Sequence, residues 1–134
     1  MSMNAKEFMA VATFMNTVFD DDETYKESFE MHLLEKLDTP DVVRVVNHIT
    51  ELNFNDILLF NLQEVMLVLT FLDDIMTIDS YSELFLLITM SLQVDPYKLK
   101  KIARESKFAE YATLTVVDPD IGYENFEETE KNNN

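Results

Sequence analysis

Apolar residues recur along most of this chain at intervals of three and four, the spacing that places them on one face of an α-helix. Phe8, Val11 and Met15 begin the first such stripe, and Tyr25 and Phe29 begin the second. The third segment is rich in valine, yet it lacks the period of two expected for a strand. The pattern predicts six helices, which cover approximately 4–18, 24–38, 39–52, 61–75, 80–93 and 95–111.

Polar residues near the start of several segments support these boundaries. Thr24 with Glu27, and Ser80 with Glu83, have the spacing of a capping box, in which a hydroxyl and a carboxylate satisfy each other's free backbone N–H groups. A proline stands at the first position of both the third and the sixth helix, where its missing N–H costs nothing. The acidic run just before Thr24 favours a helix start there, because helix N-termini carry positive potential.

The fifth segment differs from the others because it has almost no polar face. Between Leu84 and Leu92, only Thr89 and Ser91 are polar. A helix that is apolar all round is usually buried on every side. The sequence therefore predicts that residues 81–93 form the central helix of a bundle.

Beyond Ala112 the helical pattern stops. Residues 113–117, Thr-Leu-Thr-Val-Val, favour a β-strand, and the rest of the chain is acidic and polar. A lone strand is rarely stable without a sheet, so we interpret this segment as an extended arm that can pair with a partner or with another copy. The predicted organisation is a helical domain over 1–112 and an extended arm with an acidic tail over 113–134.

Composition narrows the fold class. With 134 residues, one glycine, three prolines and no cysteine, the chain has little material for tight turns or phosphate-binding loops. Together with the helical spacing, this predicts an all-α fold, a single compact bundle of five to six helices. The absence of cysteine fits a reducing compartment, the cytoplasm or the host cytoplasm of a viral protein, and no secretory signal is expected.

The net charge is strongly negative. With 26 acidic and 10 basic residues, the formal charge is −16. Such a surface repels nucleic acid and anionic membranes and attracts basic partners. Because of this repulsion, direct contact with nucleic acid or a membrane surface is not expected. No apolar run is long enough to span a bilayer either. The same charge can also serve only to keep a protein soluble, and the sequence leaves both interpretations open.

Motifs for catalysis or metal binding are missing from the sequence. It contains no glycine-rich phosphate loop, no G-x-S-x-G elbow and no H-E-x-x-H. The two histidines, His32 and His48, lie on different predicted helices. The run Asp20–Glu23 fails as the start of an EF-hand loop, because Tyr25 and Met31 stand where a glycine and a glutamate are required. We therefore expect no enzymatic activity, no cofactor and no metal.

The sixth helix reverses the charge of the chain. Five of the ten basic residues lie in it, and among these Lys98, Lys101 and Arg104 are candidates for partner binding. A basic amphipathic helix on an acidic body can bind an acidic peptide, a neighbouring copy or nucleic acid, or it can pair with acidic helices of its own domain. The overall charge argues against nucleic acid, and the favoured interpretation is self-interaction, with its own domain or a neighbouring copy, or simple solvation of the helix.

The acidic tail holds a second set of candidates for partner binding. Ile121, Tyr123 and Phe126 stand among six carboxylates in residues 118–130. Aromatic residues in an acidic, polar segment often serve to dock the segment on a basic, grooved partner. A purely solubilising tail fits the composition equally well.

These features favour a protein that binds other proteins, a non-enzymatic interaction module that acts as an assembly factor, adaptor or inhibitor. Small acidic helical proteins of viruses and phages have this character, and the asparagine-rich end of the chain hints at an AT-rich genome. The expected partner is another protein, with a basic surface as one option, and homo-oligomerisation is a further option.

The alternative function is that of an acidic DNA mimic, which would inhibit a nucleic-acid-binding enzyme. Carboxylates three or four residues apart on a helix, such as Glu23, Glu27 and Glu30, are spaced about as closely as phosphates. Mimicry requires one continuous negative ridge, whereas an adaptor requires an exposed apolar patch. The two hypotheses therefore differ in the surface they predict.

Overall fold

Six helices and one pair of short strands make up the part of the chain that the computed structural model describes, residues 2–52, 60–107 and 115–117. The helices are α1 (Ala5–Asp21), α2 (Glu23–Leu34), α3 (Thr39–Glu51), α4 (Leu62–Met76), α5 (Asp79–Ser91) and α6 (Pro96–Ser106). The strands are β1 (Ser2–Asn4) and β2 (Thr115–Val117). The predicted all-α bundle is confirmed.

Side-chain caps fix the starts of α1 and α4. Asn4 and Asn61 are the N-cap residues, and each forms a capping box with the glutamate three residues later, Glu7 and Glu64 respectively. In each box the asparagine oxygen accepts from the glutamate backbone N–H, at 2.8 Å in α1 and 2.9 Å in α4. Both boxes satisfy backbone groups that would otherwise lack a partner at the helix end.

The two capping boxes predicted from hydroxyl residues are wrong. Asp22 caps α2 instead, because its carboxylate accepts from the Thr24 backbone N–H at 2.9 Å and from the Thr24 hydroxyl at 2.8 Å. These two bonds, the backbone bond first, hold the pKa of Asp22 below its usual value. Helix α5 begins after Ile78 with no side-chain cap, so Ser80 already lies within its first turn. At α6 the predicted cap is confirmed, since Asp95 accepts from the Tyr97 N–H at 2.9 Å.

The central helix is α1, and the prediction that residues 81–93 occupy this place is wrong. Helix α1 contacts α2, α3, α4 and α5, and most of its residues are buried. In α5 only Phe85 and Thr89 are buried, whereas Leu87 and Met90 are each 68% exposed. The apolar residues that surround α5 therefore include some that are exposed to solvent. In α1, the buried Ala10 is small and leaves room for neighbouring helices.

Aromatic rings join the central helix to its neighbours. Phe14 of α1 meets Phe85 of α5 edge to face, with ring centroids 5.3 Å apart. Phe8 of α1 meets Phe60 in the same way at 5.3 Å. Such pairs contribute about 0.5–1.5 kcal/mol beyond the area they bury. The buried half of α5 is thus held firmly against α1.

The strand β2 pairs with β1 of the same chain. The two strands run parallel, and the register pairs Ser2 with Thr115, Met3 with Val116 and Asn4 with Val117. The pairing supplies hydrogen-bond partners to backbone N–H and C=O groups that the N-terminal strand would otherwise leave unpaired at its edge. The segment predicted to pair with a partner or another copy therefore contributes its three strand residues to its own domain.

The rest of the predicted arm and tail, 113–114 and 118–134, lies outside the described residues. The division into a domain over 1–112 and an arm over 113–134 accordingly stays a prediction. Within the described ranges, no helix combines the length and the apolar character needed to cross a membrane.

Candidate interaction surfaces

Helix α6 carries four of the nine lysine and arginine residues in the described chain, and its packing decides which of them face outward. Its apolar side packs mainly against α4. This side consists of the buried residues Leu99, Ile102, Ala103 and Ser106. The basic side chains lie around the remaining surface, so they either reach neighbouring helices or face solvent.

Lys98 binds a buried carboxylate of α1. Its Nζ lies 2.8 Å from Oε2 and 3.0 Å from Oε1 of Glu7. The same Oε1 accepts from the Asn4 backbone N–H at 3.0 Å. Because a buried carboxylate needs a partner, this predicted partner-binding lysine serves to hold α6 to the start of α1.

The C-terminal end of α6 is held to α4 in a similar way. Lys107 Nζ lies 2.9 Å from an oxygen of the buried Asp73 and 2.8 Å from one of the exposed Asp74. These bonds, that to Asp74 first, raise the pKa of Lys107 above its ordinary value. Arg104 Nε is 4.0 Å from Asp73, the limit of an ion pair. Pairing of α6 with acidic residues of its own domain was one of the interpretations from sequence, and these ion pairs are of that kind.

The outward side of α6 forms a basic face, which we define as Tyr97, Lys101 and Arg104. Tyr97 is 76% exposed and the Arg104 side chain 74% exposed, and Lys101 is exposed as well. With Lys100 and Glu105, these residues line an open cleft of about 440 Å³. The basic face combines an aromatic ring with two cations, which suits an acidic segment that carries aromatic residues.

Helix α2 presents a second kind of surface, which we call the α2 stripe. Glu23, Glu27, Met31 and Leu34 follow one another at intervals of four, four and three, so they form one line along the helix. All four are exposed, Met31 by 70% and Leu34 by 50%. The stripe is acidic over its first half and apolar over its second.

Helix α5 repeats this arrangement in the α5 stripe. Asp79, Glu83, Leu87 and Met90 follow one another at the same intervals and in the same order of acidic and apolar residues. All four are exposed. Half of the eight large apolar side chains that are exposed in the described chain belong to these two stripes, so the exposure is concentrated and not scattered.

Helices α2 and α5 touch near their N-terminal ends. The rings of Tyr25 on α2 and Tyr81 on α5 meet edge to face with centroids 5.2 Å apart. The Tyr81 hydroxyl donates to Asp21 Oδ2 at 2.8 Å. This bond, together with lesser effects, raises the pKa of Tyr81 to about 12. The aromatic pair thus links the N-terminal turns of α2 and α5.

A shallow apolar groove of about 420 Å³ lies along α4, beside the ends of α2 and α6. Its described lining includes Leu62, Met66 and Leu67, with Lys36 as the one charged residue. Such a lining does little to distinguish one apolar occupant from another, so we assign the groove no partner.

Both histidines have structural roles. His32 Nε2 lies 2.9 Å from the Leu67 carbonyl oxygen and 2.9 Å from the Thr70 hydroxyl, which ties α2 to α4. The His48 ring stacks on Phe60 with centroids 5.6 Å apart. Among the residues that the structure describes, no three histidine, aspartate or glutamate side chains come together in a way that could hold a metal ion.

Of the residues predicted to bind a partner, the structure brings Lys101 and Arg104 to one exposed face and turns Lys98 toward α1. The remaining three, Ile121, Tyr123 and Phe126, lie outside the described residues. The stripes were missed from sequence because their apolar members were counted toward the core. The signal that could have revealed them is the order of two acidic and two apolar residues shared by α2 and α5.

Comparison of this chain with protein-family models, with curated proteins and with solved structures finds no match.

Proposed function

We propose that this chain is a non-enzymatic protein-interaction module, an adaptor, assembly factor or inhibitor, and that the α2 and α5 stripes bind its partner. The partner is a protein segment with apolar side chains at one end and basic side chains at the other. The observation that carries this proposal is the repeated order of acidic and apolar residues on two helices that touch at Tyr25 and Tyr81.

The apolar halves of the stripes supply the affinity. Met31, Leu34, Leu87 and Met90 are exposed by half or more. Full burial of one such side chain stabilises a complex by about 1.5–3 kcal/mol. Part of this gain is offset by the loss of translational and rotational freedom on binding, so four residues together are on the scale that a specific contact needs.

The acidic halves supply selectivity. Glu23, Glu27, Asp79 and Glu83 precede the apolar residues, and the chain as a whole carries a formal charge of −16. Long-range attraction accelerates encounter with a basic partner, and like-charge repulsion disfavours an acidic one. We place this interaction in the cytoplasm, which the lack of cysteine favours. A second copy remains an alternative partner for the apolar residues.

The alternative function, DNA mimicry, receives less support from the same surface. The row of Glu23, Glu27 and Glu30 leads into the exposed Leu34 and is flanked by the exposed Met31. A mimic of the phosphate backbone gains nothing from such apolar side chains, whereas a protein partner can bury them.

The test is affinity capture from the source cells with four forms of the chain. The forms are the unchanged chain, Met31→Ser with Leu34→Ser, Leu87→Ser with Met90→Ser, and the control Val43→Ser. Val43 is 52% exposed on α3, outside both stripes, so its substitution removes an exposed apolar side chain elsewhere on the surface. Circular dichroism checks that all four forms remain folded.

We expect one protein to be retained by the unchanged chain and by the control, and to be lost with either stripe variant. Its dissociation constant, measured with the purified partner, should rise about tenfold or more per stripe, since about 1.4 kcal/mol corresponds to a factor of ten. Equal binding by all four forms would refute the proposal. A complex that a DNA duplex displaces, and that the stripe variants still form, would favour mimicry instead. A change in oligomeric state caused by the stripe variants would favour a second copy.

A further inference from the structure

The basic face of α6 stands out on a chain of strongly negative charge. Lys101 has no ion-pair partner within the described ranges, and the single contact of Arg104, with Asp73, is at the 4.0 Å limit. Tyr97 is exposed beside them. The described residues that line the 440 Å³ cleft all belong to α6. A helix face is convex, so this face is suited to receive an extended segment laid along it.

The strand pair brings the C-terminal part of the chain to the N-terminal end of α6. Val117, the last residue of β2, pairs with Asn4. The Asn4 N–H and the Lys98 ammonium group both bind the same oxygen of Glu7, each at 3.0 Å. Val117, the last described residue before the tail, is therefore connected through Asn4 and Glu7 to Lys98 in the first turn of α6.

The length of chain beyond β2 is sufficient to cover the basic face. An extended chain spans at most about 3.3–3.6 Å per residue, so residues 118–130 can reach roughly 40 Å. From Tyr97 to Arg104 the helix rises only about 10 Å, at about 1.5 Å per residue. The tail thus reaches the whole face with chain to spare.

We propose that the acidic segment 118–130 docks in cis on the basic face of α6. The segment carries six carboxylates, opposite in sign to Lys101 and Arg104, and its rings at Tyr123 and Phe126 match the exposed ring of Tyr97. Attachment at Val117 makes the encounter intramolecular, with an effective concentration of about millimolar for a short flexible link. A separate acidic protein or a second copy present at micromolar concentration competes poorly against such an attached segment.

An acidic partner of α6 would have to displace the segment, and its apparent affinity would fall by the fraction of time that the face is covered. The inference concerns a different surface from the stripes, so it stands or falls separately from the proposed function.

The lack of cysteine makes a direct test simple, since one introduced thiol is unique in the chain. The Asn125→Cys form of the full chain is labelled with a nitroxide, and the line broadening that the spin label causes at backbone amides is measured by NMR. We expect broadening centred on residues 97–105 of α6, and its loss at about 0.5 M NaCl, where exposed charges are screened.

Charge reversal supplies the specificity of the test. Lys101→Glu with Arg104→Glu should reduce the ratio of docked to free tail about tenfold, the scale expected when two exposed ion pairs become repulsions. Adding Glu127→Lys and Glu128→Lys to this variant should restore the broadening. Lys36→Glu, a reversal at an exposed residue of another region, should leave it unchanged.

Three outcomes would overturn the inference. The first is a spin label in the tail that leaves residues 97–105 sharp in the unchanged chain. The second is broadening that survives the charge reversal while the fold is intact. The third is broadening that appears when an isotope-labelled chain without the thiol is mixed with an unlabelled, spin-labelled chain, because that result assigns the contact to a second copy.

Discussion

At the scale of single residues, Glu64 links the start of α4 to α3. It caps the start of α4, since one oxygen accepts from the Asn61 N–H at 3.2 Å, and its other oxygen pairs with Arg44 of α3. Glu64 is buried, whereas Arg44 remains about one-third exposed. A buried carboxylate that loses its cation retains the cost of desolvation, so the stability of this site depends on Arg44.

Arg44→Met should lower the free energy of unfolding by about 2–4 kcal/mol, somewhat below the range for a fully buried pair because Arg44 is partly solvated. Urea unfolding followed by circular dichroism measures the change. Lys101→Met, which removes an exposed cation, serves as the control and should change stability by less than about 0.5 kcal/mol. Similar losses in both variants would show that the Arg44–Glu64 pair contributes nothing specific.

The phenol of Tyr81 gives a prediction of pH dependence. Its hydrogen bond to Asp21 raises the folded-state pKa to about 12, above the ordinary pKa of 10.0 for a tyrosine. A raised pKa means that the stabilisation is fully present below the unfolded-state pKa and is lost as the pH rises through the folded-state value. Stability should therefore fall between about pH 10 and pH 12.

Asp21→Asn should bring the pKa of Tyr81 back toward its ordinary value, because the charged acceptor is gone. Ultraviolet absorbance of tyrosinate, compared with that of Tyr81→Phe to isolate this residue, measures the shift. A Tyr81 pKa that is the same in the unchanged chain and in Asp21→Asn would contradict the role given to this hydrogen bond.

At the scale of the elements, periodicity predicted six helices but not which of them lies at the centre. The buried face of α1 was evident from residues such as Phe8 and Met15, and the start at Asp95 was evident from its cap. The side of α5 that is buried could not be predicted, because a helix with apolar residues all round offers no contrast between its faces. Burial there is decided by packing of Phe85 against Phe14 on another helix.

A pair of substitutions in α5 tests this arrangement. Phe85→Ala should destabilise the chain by about 3–5 kcal/mol, the range for a large core residue replaced by alanine. Leu87→Ala should change stability by less than about 0.5 kcal/mol, because most of its side chain is in solvent. Chemical denaturation measures both. Equal and large losses of stability in both variants would show that Leu87 is also buried and that α5 is the central helix.

The candidate site was predictable in part. Charge pattern alone identified α6 as a basic helix, and its exposed face carries two of the three residues chosen from the sequence, Lys101 and Arg104. The role of Lys98 could not be predicted, since its partner Glu7 is 91 residues away along the chain. Contacts at such separation depend on the tertiary fold and leave no local trace.

At the scale of the whole molecule, the excess of negative charge has the widest effect. A formal charge of −16 makes the folded state repel itself. Salt screens this repulsion, and it also screens attractive pairs such as Lys98 with Glu7. The latter are partly buried and are therefore screened less. Repulsion among exposed carboxylates is the larger effect.

Raising the ionic strength from low to physiological values should therefore increase the melting temperature, by several degrees if exposed repulsions dominate. Differential scanning calorimetry in sodium chloride measures this. Sodium sulfate is unsuitable as the salt because it also strengthens apolar burial. A melting temperature that falls over this range would mean that attractive ion pairs, and not repulsion, govern the response to salt.

The pairing of β1 with β2 could not be derived from the sequence. Strands of three residues are too short for an alternating pattern, and Ser2 and Thr115 stand at opposite ends of the described chain. The β-prone segment was visible, but its partner was not. Only the assembled bundle brings residues 2–4, at the start of α1, beside residues 115–117.

The parallel orientation of these two strands also determines how the molecule responds to mechanical force. A pull applied at Ser2 and at Val117 draws the strands along their length in opposite directions, because these residues lie at opposite ends of the ladder. In this geometry the hydrogen bonds of the ladder bear the load together and do not open one after another. The strand pair would act as a clasp that must yield in shear before tension reaches any of the helices.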